Sequence, residues 1–114
     1  MGIQNETLKD HVFVAAMTRD GGYYPPGPVG RLQDVLVRLC ERIEAERPAD
    51  LDALSVLTHA ATEEINDLQD PFWEAGSDIE TVARDAIGEE VERIAHAYGF
   101  TDADVEELID PRDW

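Results

Sequence analysis

The segment DLDALSVLTHAATEEINDLQ, residues 50–69, sets Leu51, Leu54, Leu57, Ala61, Ile65 and Leu68 three and four residues apart. On a helix this spacing gathers them into one apolar stripe, and Phe72 extends it. Pro48 and Asp50 supply a start, and Pro71 a stop or a kink. This is the longest clean amphipathic signal in the chain, so the other elements are expected to pack around it.

Working outward from that helix, residues 29–47 carry Leu32, Val35, Leu36, Leu39 and Ile43 within a narrow arc, with Asp34, Arg38, Glu41 and Ala45 facing away. Asp34 stands one turn before Arg38, while Glu41 and Glu46 offset Arg38 and Arg42, so the outer face is laced with mixed charge. Cys40 flanks the apolar arc and is expected to be a buried, unreactive thiol. Upstream, Asn5 caps an expected first helix over 6–18, with Leu8, Val12, Ala15 and Ala16 on one side; its run VFVAAM is apolar nearly all round, which leaves a short strand as the alternative. The stretch RDGGYYPPGPVG, residues 19–30, combines glycines with Pro25, Pro26 and Pro28, and no regular element is expected to cross it.

Downstream, Pro71 opens a short helical turn, and Ser77-Asp78-Ile79-Glu80 has the form of a capping box for a helix running to Tyr98, closed by a left-handed Gly99. Its core candidates are Ile79, Val82, Ala83, Ala86, Ile87, Ile94 and Tyr98. A short last helix opens around Thr101-Asp102-Ala103-Asp104 and ends near Ile109, stopped by Pro111; Trp114 is expected to dock back on the bundle. The expected fold is all-α: a compact bundle of four main helices with a short fifth C-terminal helix, as one helical domain over 1–114.

The 114 residues carry a formal charge of −17, unevenly placed: −3 over residues 1–62 and −14 over residues 63–114. Phosphate backbones are poor partners for such a surface, because affinity for nucleic acid rests on cationic side chains. Basic proteins are attracted and steered to it. A lone cysteine excludes an internal disulfide and any multi-cysteine zinc site, in keeping with a reducing cytoplasm. The N-terminal sequence lacks the basic flank and apolar run of a signal peptide, and the run 12–17 is too short to span a bilayer. A cytoplasmic protein that binds neither membrane nor nucleic acid is the expectation.

Two His/carboxylate pairs stand one helical turn apart: His59 with Glu63, beside Glu64, and Glu92 with His96. Neither has the Glu-x-x-His spacing of a di-iron bundle, and both histidines lie opposite the apolar stripes, which favours exposed pairing over a metal site. No metal or cofactor is expected. Asp102-x-Asp104-x-Glu106 resembles the opening of a calcium loop, but Glu107 occupies the position that requires glycine and Pro111 intrudes. No phosphate loop, nucleophile elbow or zinc-protease motif occurs. Glu90 falls on the apolar side of its helix, and the expectation is that it reaches the helix edge instead of pairing internally with Arg47 or Arg31. Tyr23 and Tyr24 either pack over the end of the core, their hydroxyls in water, or form an aromatic recognition edge.

In Leu36-Val37-Arg38-Leu39-Cys40-Glu41, Leu57-Thr58-His59-Ala60-Ala61-Thr62-Glu63-Glu64, Glu80-Thr81-Val82-Ala83-Arg84, Tyr98-Gly99-Phe100 and Pro111-Arg112-Asp113-Trp114, the chain resembles a family of small bacterial proteins described only as a domain of unknown function. The resemblance is global and implies no activity or ligand, but it draws attention to residues 58–64, which packing does not require to be polar. The leading functional expectation is a non-enzymatic acidic binding protein, of the immunity or inhibitor kind, whose second half meets a basic protein. A small enzyme or metal-binding protein using His59, Glu63, Glu64, Glu92 and His96 is the alternative, and a homodimer burying an exposed face is a third reading.

Overall fold

Asp50 starts the central helix as expected: its carboxylate accepts from the amide of Ala53 at 2.8 Å, which satisfies a donor that the first helical turn leaves free. A computed structural model describes residues 3–18 and 24–114. Among those residues every regular element is a helix: α1 (Ala15–Thr18), α2 (Pro26–Glu46), α3 (Leu51–Asp67), α4 (Gln69–Glu74), α5 (Thr81–Ala97) and α6 (Val105–Leu108). The all-α class is therefore as expected, with three long helices carrying it. None of these helices is long and apolar enough to cross a membrane.

The stripe of α3 lies against α2, the most extensive pairing of helices among the described residues. Leu54, Leu57, Ala61 and Ile65 share one core with Leu32, Leu36 and Leu39 of α2 and with Ile87 and Ile94 of α5. At Leu68 the axis is interrupted and α4 begins, with Pro71 in its first turn and Phe72 fully buried.

Several boundaries differ from the sequence reading. Pro26, Gly27 and Pro28 are the first turn of α2, which starts three residues early. A first turn has no intrahelical acceptors for its amides, so prolines there forfeit nothing and their fixed φ is already helical. The capping box at Ser77 is not formed: Glu80 stands at the N-cap without a side-chain cap bond, and its carboxylate instead accepts from the Tyr24 hydroxyl. Asp78 is taken up by the Trp73 indole (2.9 Å) and the amide of Ile79 (2.8 Å). Gly76, at φ +80°, turns the chain so that the Ser77 amide reaches the Phe72 carbonyl. Gly99, at φ +95°, closes α5 in the left-handed conformation, as expected, with the Phe100 amide on the Ala95 carbonyl. Asp104, not Thr101, caps α6, accepting from the amide of Glu106.

The N-terminal segment departs most. Asn5 caps a turn, accepting from the amides of Thr7 and Leu8, but the expected helix over 6–18 survives only as α1. Val14 sits at φ +49°, a conformation that ends any right-handed helix and costs a β-branched residue about 1–2 kcal/mol. Val12 and Ala16, expected on the face of Leu8, are exposed, and so is Val82 of α5. Trp114 docks as expected and is buried. Asn66 of α3 secures that tail from both sides, donating to the Pro111 carbonyl at 3.0 Å and accepting from the Asp113 amide at 2.8 Å.

Candidate functional site

The outer face of α3 does not gather its polar residues into a centre. His59, expected to face solvent beside Glu63, is half-buried, and its Nε2–H donates to the backbone carbonyl of Glu107 at 2.7 Å. The ring thus fastens α3 to the end of α6. A histidine whose donor is committed to a carbonyl is a structural tie. Glu63 stays exposed, while Glu64 turns towards α2 and pairs with Arg38 at 2.7 Å. Arg38 is thereby drawn across the helices and away from the in-helix pairing expected with Asp34; Arg42 and Glu46 pair within α2 at 3.0 Å, as expected.

Glu92 and His96 are exposed on α5 and line one open cleft of about 590 Å³ with Thr7, Glu89, Arg93 and Ala97. They do not meet His59 or Glu63, which belong to α3. Among the described residues no group of three or more His, Cys, Asp or Glu side chains is close enough to share a metal ion. Tyr24 is buried and its hydroxyl donates to Glu80, so it offers no free edge for recognition. Tyr23 lies outside the described residues.

The polar centre that does form is Glu90, and it overturns the expectation that this side chain escapes to the helix edge. Glu90 is 4% exposed and accepts from His11 Nε2 at 2.9 and 3.0 Å, from the Val14 amide at 2.5 Å and from Arg93 Nε at 3.0 Å. Its partners are therefore His11 and Arg93, not Arg47 or Arg31. A buried carboxylate is tolerable when its lone pairs are filled by charged and amide donors. The consequence is structural: α5 holds the N-terminal segment through Glu90 at the left-handed turn of Val14. His11 packs edge-on against Phe13, which helps to fix the ring.

A second carboxylate grips the same segment from α2. Glu44 accepts from the amides of Gln4 and Asn5 at 2.9 Å and from the Tyr98 hydroxyl at 2.6 Å. Burial alone raises its pKa, but these donors outweigh burial and hold the carboxyl below its usual value. Tyr98 is pushed up, first by burial and then by its bond to Glu44. Cys40, one turn before Glu44, is buried and free. Burial, then the neighbouring Glu44 charge, pushes its thiol up to about 12. Because the thiolate is the reacting species, modification by a neutral alkylating reagent at neutral pH is expected to be about a thousandfold slower than for an exposed thiol. Mass spectrometry before and after denaturation checks this: rapid labelling of the folded protein contradicts the burial of Cys40.

What the fold leaves open is acid. Of the Asp and Glu side chains in residues 63–114, all but Glu80 and Glu90 are exposed, and among the exposed ones only Glu64 and Glu106 form ion pairs within the described residues. On α5, Asp85, Glu89 and Glu92 recur at helical spacing on one exposed face, between a cleft of about 230 Å³ towards α6 and the cleft at His96. Periodicity alone predicts this stripe.

Compared with curated proteins and with solved structures, the chain has no significant match. The expectation of a family without an assigned activity is met: a model of the family of unknown function DUF5713 matches residues 7–114, and the chain belongs to that family.

Proposed function

We propose that this protein is a non-enzymatic binding protein, of the immunity or inhibitor kind, that docks a basic protein on the carboxylates of its second half. The observation carrying this reading is that those carboxylates, Glu80 and Glu90 apart, are exposed, and that among the described residues only Glu64 and Glu106 of the exposed ones have a cation partner. Concentrating like charge on one part of a small domain costs self-repulsion, which a cationic partner relieves on contact. The polar residues that suggest chemistry support the same reading, since His11, His59, Glu44 and Glu90 are each committed to bonds that hold the chain together. A surface of this kind contributes mainly to the speed and selectivity of encounter.

The test is capture from a bacterial lysate at about 50 mM salt, identification of the retained protein, and titration of that protein in pure form. Its affinity is expected to weaken at least about tenfold between about 50 and 500 mM salt, with the loss carried by the association rate. A pure partner whose affinity does not change over that range contradicts the proposal.

A further inference from the structure

Trp73 is the largest side chain that the fold leaves in water. It is 54% exposed, although its chain neighbour Phe72 is fully buried. Its indole Nε1–H is bonded to Asp78 at 2.9 Å, so the ring is held by one edge and its faces are not consumed by that bond. Asp70 lies one turn before it on α4, on the same side of the helix, and Glu74 is its next neighbour in the chain. Three exposed carboxylates, Asp70, Glu74 and Asp78, thus lie within five residues of the indole in the chain, and Asp78 is bonded to it. From residue 60 to residue 83 the chain contains no Lys, Arg or His, and among the described residues no cation from elsewhere pairs with these three acids.

From these observations we propose that Trp73, with Asp70, Glu74 and Asp78, is the docking point for an arginine side chain of a basic protein partner; this rests on the binding-protein reading above and gives it a location. An aromatic face attracts a cation through its quadrupole, and carboxylates at its rim supply what the guanidinium edge donates to. Arginine suits the site better than lysine because its flat, weakly hydrated guanidinium stacks on an indole while its N–H groups reach sideways. Tryptophan paired with arginine is also a frequent combination among the few residues that dominate protein interfaces. The charge elsewhere on the surface attracts the partner, and Trp73 fixes where it lands.

The experiment uses the full chain, labelled with ¹⁵N, and a short glycine–arginine peptide, with lysine and citrulline counterparts, at low salt. The arginine peptide is expected to shift the Trp73 indole N–H and the amides around Asp70, Glu74 and Asp78, the lysine peptide to bind several-fold more weakly, and the citrulline peptide to leave the signals in place. Trp73→Ala is expected to weaken the arginine peptide at least about fivefold, and Glu89→Gln with Glu92→Gln on α5 to change it less than about twofold. Shifts centred on α5, with Trp73 unmoved, overturn this location while leaving the acidic binding surface intact. Absence of shifts anywhere overturns both. Sedimentation of the same samples supplies the remaining outcome: a dimer that Trp73→Ala converts to monomer makes this face a self-interface and overturns the proposal.

Discussion

Glu90→Ala is expected to destabilise the protein by about 2–4 kcal/mol, a large effect for a glutamate in an acidic chain. In a protein of formal charge −17, removing a carboxylate lessens self-repulsion, so charge bookkeeping alone predicts a stabilised variant. The local structure predicts the opposite. Val14 is 1% exposed and its amide donates to Glu90, so the alanine variant leaves a buried N–H without an acceptor. His11 and Arg93 lose the same partner, but their side chains are 25% and 47% exposed and recover water, which keeps the cost below that of a fully buried pair. With Glu90 gone, the left-handed Val14 keeps only its core packing and the neighbouring bond from Gln33 to the Phe13 carbonyl, and this part of the N-terminal segment is expected to loosen from α5. Urea unfolding measures the loss. Faster hydrogen exchange at the Val14 amide localises it. Glu90→Gln, which keeps an acceptor oxygen for that amide, is expected to lose about half as much. A Glu90→Ala variant as stable as the parent shows that Glu90 does not hold the segment.

The elements that the sequence made legible are those decided by periodicity within one helix. The stripe from Leu51 to Leu68 and the arc from Leu32 to Ile43 are buried as spacing predicts, because each faces one continuous core. Where a second interface exists, spacing is silent. His59 lies opposite the α3 stripe, where spacing points to solvent, yet α6 reaches it and supplies the Glu107 carbonyl. The run Val12 to Met17 is apolar nearly all round, so it contains no information about which face turns inward. Its outcome is decided by Glu90, which lies 76 residues away from Val14 in the chain. Ser77 and Glu80 have the composition of a cap, but Tyr24 competes for Glu80, and a sequence pattern carries no record of such competitors. The exposed acids of residues 63–114 were legible from the outset, because charged groups without nearby cations go to the surface almost unconditionally.

Phe72 and Trp73 offer the sharpest test of which surfaces are core and which are free. Phe72→Ala is expected to cost about 3–5 kcal/mol, since the ring is fully buried and its loss leaves a cavity that α4, tied to α3 at Leu68, cannot collapse to fill. Trp73→Ala removes a larger side chain from the adjacent position and is expected to cost only about 0.5–1 kcal/mol, because much of the ring already meets water and what is lost is chiefly its bond to Asp78. Hydrophobicity ranks the two alike; only the rotation of about 100° between successive helical residues separates them. The comparison is made by urea titration, and equal slopes for both variants confirm that the same surface unfolds in each. A Trp73→Ala variant as unstable as Phe72→Ala makes the indole part of the core, and its face is then not available to a partner. With the expected inequality, folding gains little from the Trp73 indole, which is what the proposed docking of an arginine there requires.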